Sequence, residues 1–289
     1  MESHKNLSIL QSYISKMPPL PVTVARVIEI CDDVNASPAD LSKIINLDPV
    51  LTGKVLKLIN SAYYGMVNEI TSPVRAIIML GINTVKNLAL STAILGNLGN
   101  SKNFCALDMD KFWRHSLSVG VISRLIAKKR NINRDQIEEC FIAGLLHDIG
   151  KIPLNNKFSD EYILAMDLSD RERQPVYISE KQFLEIDHTD VGKLIAEKWK
   201  LGTEIIDTVT YHHSLEAYKG SKKDILYTVA LANYFANVLE SDFSVDRYPE
   251  EIGHEVLHHL DIIPEYLEDI RDEVTGEIEK AQVFLKIAG

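Results

Sequence analysis

The residues with the widest chemical reach are a His-Asp pair and the histidines that could join it. His147-Asp148 closes the apolar run Ala143-Gly144-Leu145-Leu146 and leads into Ile149-Gly150-Lys151. That order puts an imidazole and a carboxylate at the end of a buried helix, where the backbone can open around them. His115 lies upstream, His188 downstream, and His212-His213 further on. Imidazole and carboxylate donors together suit Fe, Mn, Zn or Co rather than Ca or Mg. Adjacent helical residues point about 100° apart, so one member of His147-Asp148 can serve each metal of a pair, with the carboxylate bridging. His212-His213 can do the same from a facing helix. Such a centre activates a water for in-line attack on a phosphate ester. The expected cofactor is one or two divalent transition-metal ions on His115, His147, Asp148, His188, His212 and His213. Asp148 and Lys151 are the candidate catalytic residues, Lys151 standing near a substrate phosphate.

Each of these residues also has an ordinary alternative. His115 on an apolar helix reads alone as a satisfied core residue, and His188, between Asp187 and Asp190, as part of a helix cap. Lys151 reads equally as a cation at a helix C-terminus. The combination in this order, on a helical background, favours ligands. His254, His258 and His259 have no carboxylate or turn to organise them and read as a polar helix face. Trp113 and Trp199 read as core anchors.

The elements that must position these groups are helices. Ser37-Pro38-Ala39-Asp40 has the cap, proline and carboxylate of a helix start, and Asp48-Pro49 and Ser72-Pro73 repeat the device. Met17-Pro18-Pro19-Leu20-Pro21 is a stiff extended entry. Helices are predicted from Val22 to Cys31, after Ser37, after Asp48, after Ser72 and from about Asp108 to Arg130 with a broad apolar face. Asn133 starts the helix that delivers His147-Asp148. Residues 155–177 read as short helices with loops, and Ser179-Glu180-Lys181-Gln182 as another cap. Residues 1–98 are expected to form one helical lobe and 108–289 a second, joined by a hinge over Gly96 to Leu107. Asn60-Ser61-Ala62-Tyr63-Tyr64-Gly65 reads as a turn whose tyrosines either pack between the lobes or offer a partner surface.

The 289 residues are 46% hydrophobic and 25% charged, ordinary for a globular protein with a full core. A net charge of −10 with no basic block argues against a general nucleic-acid binder, because phosphates need a cationic surface. Cys31, Cys105 and Cys140 form no C-x-x-C and read as reduced. No apolar run is long enough to span a bilayer, and Met1 to Asn6 lacks the regions of a secretory signal. The expectation is a cytoplasmic protein without nucleic-acid or membrane partners.

From about Leu20 to His213 the chain resembles an HDOD domain, a signalling relative of the HD phosphohydrolases. The resemblance rests on Ile45-Asn46-Leu47-Asp48-Pro49, Leu58 to Gly65, Phe112-Trp113-Arg114-His115-Ser116, Gly144 to Gly150, Asp187 to Gly192 and His212-His213. It implies an all-α fold of two lobes, the second an HD-like bundle, and a role in bacterial signal transduction; action through protein partners is the expectation that accompanies it. A catalytic HD domain ends its ligand set with an aspartate on a later helix. Here the corresponding stretch, Thr228 to Asn233, holds no carboxylate, Ala230 and Asn233 included, and the Gly-Tyr-Pro signature of cyclic di-GMP phosphodiesterases is missing. The reading that follows is a regulatory or binding module with an incomplete HD-type metal site. The alternatives are a metal-dependent phosphohydrolase or phosphodiesterase acting on a nucleotide, and a receptor that binds a cyclic nucleotide without cleaving it.

Overall fold

Short polar residues set before proline determine where the first helices begin. The computed structural model describes residues 2–31, 33, 35–98, 106–239 and 246–288. Its first half contains α1 (Glu2–Lys16), α2 (Val22–Cys31), α3 (Pro38–Ile45), α4 (Pro49–Ile59), α5 (Pro73–Leu80) and α6 (Ile82–Leu98). At α3 the Ser37 hydroxyl accepts from Asp40 N at 3.2 Å, and Ser37 N donates back to the Asp40 carboxylate at 3.3 Å. At α4 the Asp48 carboxylate accepts from Leu51 N at 2.9 Å. Each cap satisfies amide groups that the first turn leaves without a helical partner. Ser72, by contrast, makes no side-chain cap bond.

The second half runs through α7 (Met109–Lys129), α8 (Arg134–Leu146), α9 (Lys151–Lys157), α10 (Ser159–Glu172), α11 (Val176–Leu184), α12 (His188–Lys198) and α13 (Thr203–Tyr211). After a single 3-10 turn, Leu215–Ala217, come α14 (Asp224–Leu239), α15 (His254–Leu260), α16 (Pro264–Asp269), α17 (Arg271–Ala281) and α18 (Val283–Ala288). No strand occurs among the described residues. The fold is all-α. Residues 159–172 are one regular helix rather than short pieces with loops. Ser179 sits inside α11, whose N-cap is Pro175, so the cap expected at Ser179 is absent. Trp113 and Trp199 are core residues, and His254, His258 and His259 are exposed on α15. Neither Cys31 nor Cys140 is in a disulfide.

Helix α1 carries no start signal that sequence reading recognised; tertiary contacts hold it. It packs on α9 and α12, burying Leu10 and Ile14. The Lys198 ammonium from α12 donates to the carbonyls of Ile14, Ser15 and Met17 at 2.5, 2.9 and 2.8 Å. A lysine there satisfies terminal carbonyls and meets the negative end of the helix dipole. At the other end of the chain, α18 packs on α4 and α6. The two halves therefore exchange their end helices and share a continuous core.

The Tyr63-Tyr64 turn lies in that shared core. Tyr63 is buried, with its ring edge-on to Phe284 at 5.2 Å. The Arg124 guanidinium of α7 lies 4.7 Å from the Tyr63 ring centre and 5.7 Å from that of Tyr64. Arg124 is itself paired with the buried Glu138 at 3.0 Å. The packing alternative is the one realised, because the rings cover a desolvated guanidinium. Of the expected hinge, residues 99–105 lie outside the described residues. Ala106 N and Leu107 N donate to the side-chain oxygen Oδ1 of Asn155 on α9 at 2.9 and 3.0 Å. No single helix among the described residues is long and apolar enough to cross a membrane.

Candidate metal centre

Two pairs of glycines bring the site together. A Cβ on Gly144 of α8 would lie 2.9 Å from Gly120 Cα and N of α7, so these helices cross backbone against backbone. That crossing sets His115 and His147 with ring centres 5.6 Å apart. A Cβ on Gly150 would lie 1.9 Å from His188 O and 2.5 Å from Gly192 N. The turn after Asp148 is thus seated directly on the first turn of α12. That turn is fixed by a capping box, with Asp187 as N-cap and Asp190 returning to it. The helix-cap alternative for His188 is realised, and the cap is what aims the imidazole.

All five expected histidine ligands converge on the sixth, Asp148. Its Oδ1 lies 3.2 Å from His188 Nε2 and 3.7 Å from His212 Nε2. Its Oδ2 lies 3.4 Å from His147 Nε2, 3.9 Å from His115 Nε2 and 2.5 Å from Lys151 Nζ. Donor atoms of Asp148, His188, His212 and His213 fall within 4.8 Å of one another, and so do those of His115, His147 and Asp148. One carboxylate is thereby shared between two groups of imidazoles. His147, Asp148 and His188 are almost wholly buried. Lys151 is buried at the start of α9 and bonded to Asp148.

The outer contacts decide which ring nitrogen faces inward. His147 Nδ1 lies 2.7 Å from Gly144 O, and His212 Nδ1 lies 3.1 Å from Thr208 O and 3.2 Å from Val209 O. His188 Nδ1 lies 2.7 Å from the Glu180 carboxylate. All these partners only accept, so the network assigns the hydrogen to Nδ1 and leaves each Nε2 lone pair facing Asp148. His188 Nε2 and His212 Nε2 lie 3.4 Å apart. His147 Nε2, His213 Nε2 and Asp148 Oδ1 are buried without a well-formed hydrogen bond. Inward lone pairs around a carboxylate repel one another unless a cation lies among them. A divalent transition metal fits this donor set, with the outer hydrogen bonds fixing ring orientation.

Electrostatics favour neutral imidazoles at His147, His212 and His213. Burial pushes His147 down to about 4, and it also lowers His212 and His213, the last helped by the neighbouring His212 and His188. Burial alone would raise Asp148, but the charges at His147, Lys151 and His188 outweigh it and hold the carboxyl well below its usual range. Burial works against His188 too, yet the Glu180 carboxylate leaves it raised.

Sequence reading missed Glu180, Tyr162, Tyr177 and Asp246. Glu180 is fully buried and accepts from Tyr162 OH at 2.7 Å and from His188 N at 2.8 Å. It precedes His188 by eight residues but lies in a different helix, so only the turn over residues 185–187 joins them. Tyr177 stacks on His213 with ring centres 4.5 Å apart. A cavity of about 680 Å³ opens beside His212, His213 and Asn233, with Tyr227, Tyr234 and Lys219 on its walls.

The HDOD domain family matches residues 17–215. The chain belongs to that family. The fold agrees with solved structures at low identity. An HDOD domain protein from Geobacter sulfurreducens is 24% identical, with 99% of this chain and 96% of that one covered and a TM-score of 0.71. A candidate phosphohydrolase from Shewanella amazonensis SB2B is 20% identical, with 97% and 98% covered and a TM-score of 0.71. A candidate signal transduction protein from Marinobacter aquaeolei VT8 is 20% identical, with 100% and 66% covered and a TM-score of 0.73. The chain spans about half the length, or less, of the curated relatives it matches: it covers 46% of a Treponema pallidum protein to which it is 22% identical over 239 residues. In this HDOD chain Asn233, on α14, faces the centre with Oδ1 3.1 Å from His115 Nε2, and the same oxygen accepts from Asn237 Nδ2 at 3.0 Å.

Proposed function

We propose that this HDOD chain is a regulatory module that holds a divalent transition metal in its second half and acts through protein partners rather than by turnover. One observation carries the reading: protein groups already occupy the side of Asp148 that a second ion would need. The Lys151 ammonium sits on Asp148 Oδ2 at 2.5 Å, and Asn233 offers His115 a neutral carbonyl where a carboxylate would complete a second shell. A carboxylate oxygen bonded to a buried ammonium is a poor bridge, because the bound cation competes with the incoming one. The metal, when bound, supplies a Lewis acid and a fixed charge at the end of α8. His188, His212, His213 and Asp148 would hold it, Lys151 bonds the Asp148 oxygen turned away from that group, and the inter-half core ties the centre to α4, α6 and α18. For partners, the first half offers Leu47, Val50, Val67 and Ile78 as exposed apolar side chains.

The hydrolase reading draws its support from the cavity beside His212 and His213, which has room for a nucleotide-sized ligand. The test is metal content and turnover on the same sample. Protein purified without added metal is expected to carry about one ion per chain. Bis-p-nitrophenyl phosphate and nucleotides should be cleaved no faster with it than with the ion alone. Asn233→Asp should raise the bound metal toward two ions. Turnover by the natural chain that disappears in His147→Ala/Asp148→Ala would overturn the regulatory reading and favour a nucleotide or other phosphate-ester substrate.

A further inference from the structure

We infer that α11 is the helix that positions the metal ligands of this protein, with Glu180 and Tyr177 as positioning residues that commit the ion to the His188, His212 and His213 side of Asp148. The inference rests on the metal-holding reading above. Residues 177 and 180 are three apart and so share one face of α11. Tyr177 stacks on His213 at an interplanar angle of 18°. Glu180 takes both His188 N and His188 Nδ1 on one oxygen, at 2.8 and 2.7 Å, and the Tyr162 hydroxyl on the other, at 2.7 Å. One helix face therefore grips two imidazoles of the same group.

Among the histidines around Asp148, His147, His188 and His212 are not equivalent. His147 and His212 donate their Nδ1 hydrogens to backbone carbonyls, whereas His188 donates to a full carboxylate in a site closed to water. A carboxylate behind an imidazole fixes its tautomer and makes the opposite nitrogen a better donor to metal. His188 is thereby the strongest ligand of the centre, and it faces Asp148 Oδ1 rather than the oxygen that Lys151 covers. Helix α11 is tethered in turn from the far side of the site. Val176 N donates to Asp246 at 3.3 Å and Tyr177 OH to Glu250 at 3.2 Å. A buried carboxylate that contacts no expected ligand except His188 has a cost unless it serves that ligand.

Glu180→Gln tests this, because the amide keeps the shape and lets its oxygen face His188 while its nitrogen faces the tyrosine oxygen. The readouts are Zn²⁺ affinity by competition with a chromophoric chelator and thermal unfolding of the metal-free protein. We expect Zn²⁺ affinity to fall by about 10–100-fold, with the metal-free Tm unchanged or raised. Tyr162→Phe removes one support of Glu180 and should weaken Zn²⁺ by a smaller factor, which keeps the test open if Glu180→Gln does not fold. Affinity within about twofold of the natural chain in both variants would overturn the inference while leaving the metal reading intact. A metal-free Tm that drops in step with affinity would also overturn it, since Glu180 would then be a structural residue only. Natural protein that binds no Zn²⁺ would sink both this inference and the metal reading on which it rests.

Discussion

Gly150→Ala is the sharpest perturbation of the centre, because what it would strike is backbone. The added Cβ would stand 1.9 Å from His188 O and 2.5 Å from Gly192 N, atoms with no rotamer to turn aside. Favourable contact begins near 3.5 Å, so the turn after Asp148 and the start of α12 must part by more than about 1 Å. Overpacking of this kind costs about 1–3 kcal/mol, and the upper part of that range is expected where both neighbours are main chain. The same displacement separates Asp148 from His188, now 3.2 Å apart, whereas metal–ligand distances tolerate only about 0.2 Å. Zn²⁺ affinity should therefore fall at least about tenfold, or 1.4 kcal/mol. The assay is guanidinium unfolding of the metal-free protein, with chelator competition on the same preparation. Gly53→Ala is the control. Gly53 lies inside α4 with nothing within 4 Å of the added carbon, so it should stabilise by about 0.5–1 kcal/mol. A Gly150→Ala protein with natural stability and natural metal affinity would refute the claim that this close approach builds the site.

Lys151→Met leaves Asp148 buried without its ammonium partner, and breaking one side of a buried pair costs about 3–5 kcal/mol. Thermal unfolding in chelator should show that loss, and added Zn²⁺ should raise the variant's Tm by more than the natural protein's; equal shifts would show that Lys151 does not oppose metal at Asp148. Acid sensitivity provides a test far from the centre. The Ser37 hydroxyl and then Lys43 lower the Asp40 pKa to about 2. A depressed carboxylate contributes stability that is present above the unfolded pKa near 3.9 and is lost as pH falls through about 2. The stability gap between the natural chain and Asp40→Asn should therefore narrow as pH drops from about 4 to 2, and a gap that holds constant over that window would contradict the assigned bond.

Much of the site was legible because its signals are local. Ser37-Pro38 and Asp48-Pro49 start helices by satisfying amides within one turn, so no distant residue is needed to read them. Asp187 announced α12 in the same way. His147-Asp148 declared itself by standing between an apolar run and a glycine. The α1 helix and the regular α10 were not legible, since packing against α9, α11 and α12 holds them rather than caps or strong periodicity. Glu180 was misread for a related reason. Its neighbours suggest a cap, and its partner His188 becomes adjacent only when the chain returns through residues 185–187.

By itself, then, the sequence determined the all-α architecture, several of the helix starts and which side chains have the chemistry to serve as donors, because composition, capping and residue type act over a few neighbours. Tertiary structure decided how those donors are divided. The Gly120–Gly144 and Gly150–Gly192 approaches choose which imidazoles face each oxygen of Asp148. Burial turns Lys151 from a candidate substrate contact into the partner of Oδ2, and places Tyr63 over Arg124 instead of in solvent. These outcomes depend on where backbones hundreds of atoms apart come within a few ångströms, and steric fit over that distance leaves no local trace in the chain.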